Sequence, residues 1–294
     1  MESGKQNSGS KAKDEEGMRR SEDKDKVSTF LWVLKQCIDD SDVRIMSYKQ
    51  GETNWYDKFS AEQKEHEHRK PWVADGGALL SEAGAIMSLL PPPPLDILDA
   101  GCAGGHLSHM LSLAGYRVTG ADVCAPVIEE AKKLSVRWNK GASTPTFETM
   151  DFDTLPAERW DAIVFASALH HSVDRRKTLA SCFKALRKNG VLIASEPGVG
   201  HEMGNNCKEW ARTMDVTEKS TPPYGIARDG KAVGFKRIKI YPNPITLHKS
   251  AYCLDGLKNH PIVKAILSLP VGIAAVATAK YLHGITVMYK ADKK

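Results

Sequence analysis

Between Leu95 and Ser195 the chain alternates short apolar runs with longer amphipathic stretches. LDILDA (Leu95–Ala100), YRVTGAD (Tyr116–Asp122), TPTFETM (Thr144–Met150), WDAIVFAS (Trp160–Ser167) and VLIAS (Val191–Ser195) read as buried strands, short and bounded by turn residues. HLSHMLSLAGY, APVIEEAKKLSVRW and RRKTLASCFKALRKNG carry apolar residues at helical spacing, with Gly115 and Gly190 placed to end the first and third. This alternation predicts an α/β fold with a parallel, doubly wound sheet and right-handed crossovers.

The flanks are less regular. ADGGALLSEAGAIMSLL reads as an amphipathic helix stopped by Pro91 to Pro94. Upstream, order is expected from Val27 (VSTFLWVLKQCI), and NWYDKFSAEQKEHEHRKPWV reads as a helix and lid. Beyond Pro197, residues 198–226 are polar and irregular, and a short helix ends at Gly234-Phe235. KRIKIYP then reads as a strand, residues 243–283 as a long excursion, and GITVMYK as the last strand. The expected division is a disordered charged tail (1–26), N-terminal helices and lid (27–90), and a main domain (91–294) capped by variable substrate-side segments 198–226 and 243–283.

Composition narrows the class. A formal net charge of +5, with no basic repeat, singles out no nucleic-acid surface. Six scattered cysteines resemble neither a disulfide framework nor a zinc knuckle and suit reduced thiols in a cytoplasmic protein. The first 26 residues lack an apolar core segment and do not read as a secretory signal. AILSLPVGIAAVATA (265–279) falls short of the roughly 20 apolar residues of a membrane span and contains Pro270, so a buried helical cap is expected there and membrane contact is not.

The most informative chemistry lies in Asp99-Ala-Gly-Cys-Ala-Gly-Gly-His106, at a strand–helix junction. Glycine lets the backbone turn tightly and approach a ligand, and the next helix offers unpaired amides. In open α/β sheets this crevice is where ligands bind. A dinucleotide G-x-G-x-x-G counted from Gly101 would need glycine where Ala103 and His106 stand. Asp99 also disfavours an anionic pyrophosphate and suits a cation, such as the sulfonium and amino group of S-adenosylmethionine. Asp122 ends the next strand, where an acid can accept from ribose hydroxyls. MDFDTLP then offers a carboxylate for an adenine amino group, with Phe152 to lie against the ring.

LDAGCAGGHLS, GADV, MDFDTLP, WDAIVFASALHHSVD and LRKNGVLIASEP follow in the order and spacing of class I S-adenosylmethionine-dependent methyltransferases, which the chain resembles over residues 75–200. The resemblance implies a Rossmann-like, mostly parallel sheet with an antiparallel last strand, and S-adenosylmethionine as cofactor. It implies a cofactor loop of Asp99, Gly101, Cys102, Ala103 and Gly105, a ribose side at Asp122 and Val123, and an adenine contact at Asp151 and Phe152. NWYDKF is similar to the segment that closes over the cofactor in the family, which adds Tyr56. Ala103 departs from the family's middle glycine, and its methyl group is expected to shift the loop slightly while binding is retained.

Methyl transfer from a sulfonium is an in-line displacement, for which a protein supplies alignment and, for poorly acidic acceptors, a base. His171, after the fourth strand, with Glu196 and His201, at and after the end of the fifth, are the candidate catalytic residues. His170 reads as structural, and the EHEH run at 65–68 as solvated helix charge, so no metal is expected. No Asn-Pro-Pro-Tyr type signature follows the fourth strand, which counts against adenine or glutamine N-methylation. The expected activity is methylation of a small-molecule or glycan-like acceptor, at oxygen more than nitrogen. Protein or RNA methylation, and a non-catalytic S-adenosylmethionine-binding partner subunit, are the alternatives.

Overall fold

The computed structural model describes residues 48–73, 76–138, 144–252 and 279–291. The expected tail (1–26), the segment opening at Val27 and the apolar run 265–279 lie outside the described residues.

The apolar runs form β1 (Asp96–Ala100), β2 (Arg117–Asp122), β3 (Thr146–Thr149), β4 (Trp160–Ala166), β5 (Leu186–Ser195), β6 (Lys236–Pro242) and β7 (Gly284–Tyr289). They make one sheet in the order β3-β2-β1-β4-β5-β7-β6. Strands β1 to β5 pair in parallel, and β7 runs antiparallel to both β5 and β6. The helices are α1 (Ala61–Arg69), α2 (Gly76–Leu89), α3 (His106–Leu113), α4 (Ala125–Trp138), α5 (Arg175–Ala185), α6 (Asn205–Met214), α7 (Pro223–Val233) and α8 (Pro244–Tyr252).

Strand periodicity sorts the core into two layers. Leu98, Ile163, Phe165, Leu192 and Ala194 face Leu179 of α5 and Ile226 of α7. Their chain neighbours Ile97, Ala162, Val164, Val191 and Ile193 face Ile86 of α2 and Leu107 and Leu111 of α3. Strands covered on both faces carry little polarity, which is why the apolar runs were continuous rather than alternating. Strand order reverses between β1 and β4, so their carboxyl ends flank the crevice that an open α/β sheet offers a ligand.

Two local expectations are corrected. Gly190 does not end a helix: α5 stops at Ala185, and Leu186 is extended and pairs with Trp160 at the start of a longer β5. Register is then lost until Val191 meets Ala162, and a β-carbon on Gly190 would lie 3.0 Å from the carbonyl oxygens of Asp161 and Arg187. The glycine is needed for this close passage of backbone. The segment 198–226 is not irregular throughout, because it contains α6 and the start of α7. Pro222 caps α7, Pro223 fills its first position, and Gly234 closes it at φ +121°.

Candidate active site

A cavity of about 710 Å³ opens above the carboxyl ends of β1, β2 and β4. One end is backbone geometry. Gly101, Ala103 and Gly105 all take left-handed conformations, with φ of +76°, +46° and +82°. A β-carbon on Gly101 would fall 2.3 Å from Cβ of Ala168, and one on Gly105 would fall 2.6 Å from the Phe147 ring. Ala103 holds this conformation despite its β-carbon, a local strain on the order of 1 kcal/mol. The amides of Gly101 and Cys102 donate to Ala121 O at 2.8 and 2.9 Å, tying the loop to the end of β2.

Two acids stabilise this turn from below and beside. Asp99 is buried and accepts from Ser108 Oγ of α3 at 2.6 Å. Asp122 accepts the amides of Ala103 at 3.2 Å and Cys124 at 2.9 Å. Burial chiefly, with the charge of Asp122 acting on Asp99 and that of Glu52 on Asp122, pushes both carboxyls up to about 6. No lysine or arginine of the described residues pairs with either acid. A cationic ligand beside them would supply the missing charge.

Of the expected cofactor residues, Gly101, Ala103, Asp122, Val123, Asp151 and Phe152 line the cavity together. Asp99, Cys102 and Gly105 do not line it; they shape the loop from behind. After β3, Asp151 caps a short 3-10 turn (Phe152–Thr154) by accepting from the Asp153 amide at 2.9 Å. Asp153 is committed elsewhere, to Lys49 Nζ at 2.8 Å and Thr178 Oγ1 at 2.7 Å. Burial opposes its ionisation, yet Lys49 and Thr178 outweigh it and hold the carboxyl below its ordinary value. Asp151 also meets Lys49 Nζ, at 3.5 Å, but at 53% exposure it is the more open of the two carboxylates toward a ligand. Phe152 stands edge-on to Phe165 at 5.8 Å, which fixes its plane.

Tyr56 departs from expectation. It is buried with Cys124 and Val127 behind Trp55 and Phe59, its hydroxyl 2.8 Å from His68 Nε2, and it does not line the cavity. Burial, then the charges of Glu130 and Glu67, push its phenol up to about 12. The lid residues that do face the cavity are Trp55 and Phe59, with Phe59 also against Trp210 of α6 at 6.1 Å.

The far end of the cavity is a knot of imidazoles and carboxylates. Glu196 accepts the amides of Ala168, Leu169 and His170 at 3.0, 2.8 and 3.2 Å, and His170 Nδ1 at 2.8 Å. Burial works against its charge, but the His170 bond and these amides keep it a carboxylate. Its oxygens are saturated and it does not reach the cavity, so the expectation that Glu196 is a base is corrected: it braces the turn after β4. His171 and His201 do line the cavity. His171 Nδ1 lies 3.4 Å from Glu52 Oε1, and His201 Nε2 lies 2.7 Å from Glu218 Oε2. Burial opposes a charge on His171, but Glu52, Glu218 and Glu196 prevail and raise it to about 9. At neutral pH it is an imidazolium, which cannot accept a proton. His170 is held below its ordinary value by burial and by its charged neighbour.

Comparison with known proteins agrees with this layout. Residues 98–194 match the methyltransferase domain family. The chain carries a class I S-adenosylmethionine-dependent methyltransferase domain. A ubiquinone biosynthesis O-methyltransferase of Actinobacillus pleuropneumoniae serotype 5b (strain L20) is 33% identical over 105 residues, covering 34% of this chain and 44% of that protein. The S-adenosyl-L-methionine-dependent Diels-Alderase iccD of Talaromyces variabilis is 33% identical over 103 residues, 34% of this chain and 35% of its own. The aligned region thus spans less than half the length of these curated relatives.

Two solved structures share the methyltransferase fold. Phosphoethanolamine N-methyltransferase 2 of Haemonchus contortus, in complex with phosphomonomethylethanolamine and S-adenosylhomocysteine, superposes with TM-score 0.50 at 16% identity, over 74% of this chain and 57% of that one. A chain of the complex between the Haloferax volcanii Trm112 methyltransferase activator and its methyltransferase gives 0.51 at 16% identity, over 75% and 96%.

Around the methyltransferase loop the structure adds residues that sequence reasoning missed. Lys49 and Glu52 reach the cavity from a helical stretch at 48–54, and Cys207, Trp210 and Glu218 from the segment after β5. None belongs to a family motif. The available signals were a tryptophan and a cysteine four residues or fewer apart in an otherwise polar stretch, and an acid two residues after Val216. Among the described residues no helix is long and apolar enough to cross a membrane.

Proposed function

We propose that this protein transfers the methyl group of S-adenosylmethionine to a hydroxyl oxygen of a small, largely apolar or aromatic acceptor. One observation carries the reading: a single cavity runs from Asp122, Asp151 and Phe152 to His171, His201 and Glu218, with Trp55, Phe59, Trp210 and Met214 among its walls. The cofactor, when bound, supplies an electrophilic methyl whose S–C bond breaks as the O–C bond forms, the electron pair remaining on sulfur. Asp122 accepts from the ribose, and Asp151 and Phe152 hold the adenine. The apolar and aromatic walls favour a ring-bearing hydroxyl over a glycan, and a concave site of this size favours a small molecule over RNA or a protein chain. The naming of one relative as a ubiquinone biosynthesis O-methyltransferase supports oxygen as the acceptor atom.

His201 is the proton acceptor in this reading. Its Nε2 is engaged by Glu218, and its Nδ1, whose other neighbour is the weakly bonding Cys207 Sγ at 3.7 Å, receives the proton of the acceptor hydroxyl. Glu218 then stabilises the imidazolium formed, in the manner of an acid behind a base.

The test is calorimetric titration with S-adenosylmethionine and S-adenosylhomocysteine, followed by methyl-label transfer to panels of phenols, enols, sugars, RNA and protein. Micromolar binding and labelling of a phenol or enol are expected. Labelling confined to RNA or protein overturns the acceptor class. Cofactor binding with no label transferred to any panel favours the second reading, raised by the Diels-Alderase relative, of a protein that holds S-adenosylmethionine without spending its methyl group.

A further inference from the structure

The acceptor end holds more ionisable groups than a proton acceptor needs. The rings of His170 and His171 lie 4.0 Å apart centre to centre, and His201 meets His170 edge-on at 4.8 Å. One ligand atom each of His170, His171 and Glu218 lie within 4.8 Å of one another. Zinc bonds of about 2.0–2.2 Å in tetrahedral array hold nitrogen and oxygen ligands about 3.3–3.6 Å apart. His170 Nε2 and Glu218 Oε2 are already 3.6 Å apart, so small side-chain rotations complete the set.

The outer contacts are those of a ligand set. His170 Nδ1 is bonded by Glu196 at 2.8 Å, which puts the proton on Nδ1 and turns the Nε2 lone pair toward Glu218. Two acceptors facing each other across a buried gap repel unless something positive lies between them. Glu52 stands 3.4 Å from His171 Nδ1, and His201 Nε2 bonds Glu218 at 2.7 Å. Each of the three residues thus has the kind of second partner that orients metal-binding imidazoles and carboxylates. Glu196 is itself pinned by three amides, so the set rests on the turn after β4.

We propose that His170, His171 and Glu218 bind one divalent transition-metal ion of the zinc class, His171 releasing its imidazolium proton to solvent as the ion enters, with an open coordination position facing the cavity. Two histidines and a glutamate are a donor set that catalytic zinc accepts, and the open position is what separates a catalytic from a structural site. A second trio, His201, Cys207 and Glu218, shares the glutamate and so competes for the same ion. Only the first trio has an outer partner on every member. The presence of the ion is independent of the methyl-transfer reading, whereas its use rests on it. An acceptor hydroxyl at the open position becomes more acidic, releases its proton to His201 and presents an oxygen anion to the methyl group.

The test uses the full-length protein stripped with a chelator, titrated with Zn²⁺ by calorimetry and with Co²⁺ by visible absorption. One ion per chain is expected. His171→Ala and Glu218→Gln each weaken binding by about a hundredfold, Glu52→Gln by about tenfold, and Cys207→Ser by less than about twofold. Thermal melts identify any variant that fails to fold, and the isosteric Glu218→Gln keeps at least one variant usable. No saturable binding by the parent protein, or parent-like binding by a folded Glu218→Gln, overturns the site. Binding that is lost in Cys207→Ser and shows sulfur-to-cobalt charge-transfer absorption overturns the ligand assignment. Asp122→Ala separates the two readings, since it should lose S-adenosylhomocysteine and keep the ion. Ion binding in a parent protein that ignores S-adenosylhomocysteine supports the site and sinks only its use in methyl transfer.

Discussion

The two ends of the cavity are built by different means. The cofactor end comes from short contiguous stretches, and its shape is set by backbone: left-handed turns at Gly101, Ala103 and Gly105, and the Asp122 carboxylate at the end of β2, which accepts the amides of Cys124 beside it and of Ala103 in the loop after β1. The acceptor end comes from segments far apart in the chain. Glu52 arrives from upstream of the sheet, His170 and His171 from the β4 turn, and His201 and Glu218 from either side of α6. A site made of backbone turns varies little, because each residue is fixed by steric need. A site made of side chains on loops can be rebuilt without disturbing the sheet beneath it. The expected consequence is that damage at one end leaves the other working.

The largest effect should come from the acceptor end. His201→Gln keeps a hydrogen-bond donor toward Glu218 but cannot take a proton, so kcat should fall by about 10²–10⁴. The Kd for S-adenosylhomocysteine should stay within about threefold of the parent, and equal losses in both would break the separation.

Asp122→Ala attacks the other end. It removes the carboxylate proposed to accept from the ribose and orphans the Ala103 and Cys124 amides, so cofactor affinity should drop about a hundredfold or more, read by calorimetry. Gly101→Ala sits where the ends meet, since the new methyl would strike Ala168 beside the β4 turn. The strained conformation and the overlap together should cost about 2–5 kcal/mol in a urea melt.

Acidity sharpens the contrast. The Asp99 and Asp122 carboxyls are raised from 3.8 to about 6 in the fold, so the stability they contribute is complete below pH 3.8 and is lost as pH rises through about 6. A cationic cofactor needs them ionised and should bind about tenfold more tightly near pH 7 than near pH 5. Calorimetry across that range in a buffer series checks the sign. The smallest effect expected is that of Ala103→Gly, which relieves a left-handed alanine at some cost in chain entropy, for a gain of under about 1 kcal/mol.

This difference also decides what was legible in the sequence. The strands were readable because burial on both faces leaves Ile163, Val164 or Leu192 no polar neighbours to alternate with. The place of Asp122, Asp151 and Phe152 beside the cavity was readable because parallel strands end at one rim: Asp122 ends β2, and the other two follow β3 directly in the turn beyond Thr149. Gly190 misled because a glycine after a helical run looks the same whether it caps the helix or lets two backbones pass. Tyr56 misled because an aromatic beside the lid can point either way, and here the hydroxyl finds His68. Glu196 was found as a residue but misjudged in role, since its three amide donors come from the turn after a different strand. Glu52 and Glu218 were beyond reach: each is defined by an imidazole more than ten residues away in sequence.

The most direct test is one calorimetric titration of S-adenosylhomocysteine into three proteins side by side: the parent, Asp122→Ala and His201→Gln. The expected result is micromolar binding by the parent and His201→Gln and none by Asp122→Ala over the same range. A parent that does not bind, or an Asp122→Ala protein that binds like the parent, would contradict a cofactor end built on the β1 and β2 turns.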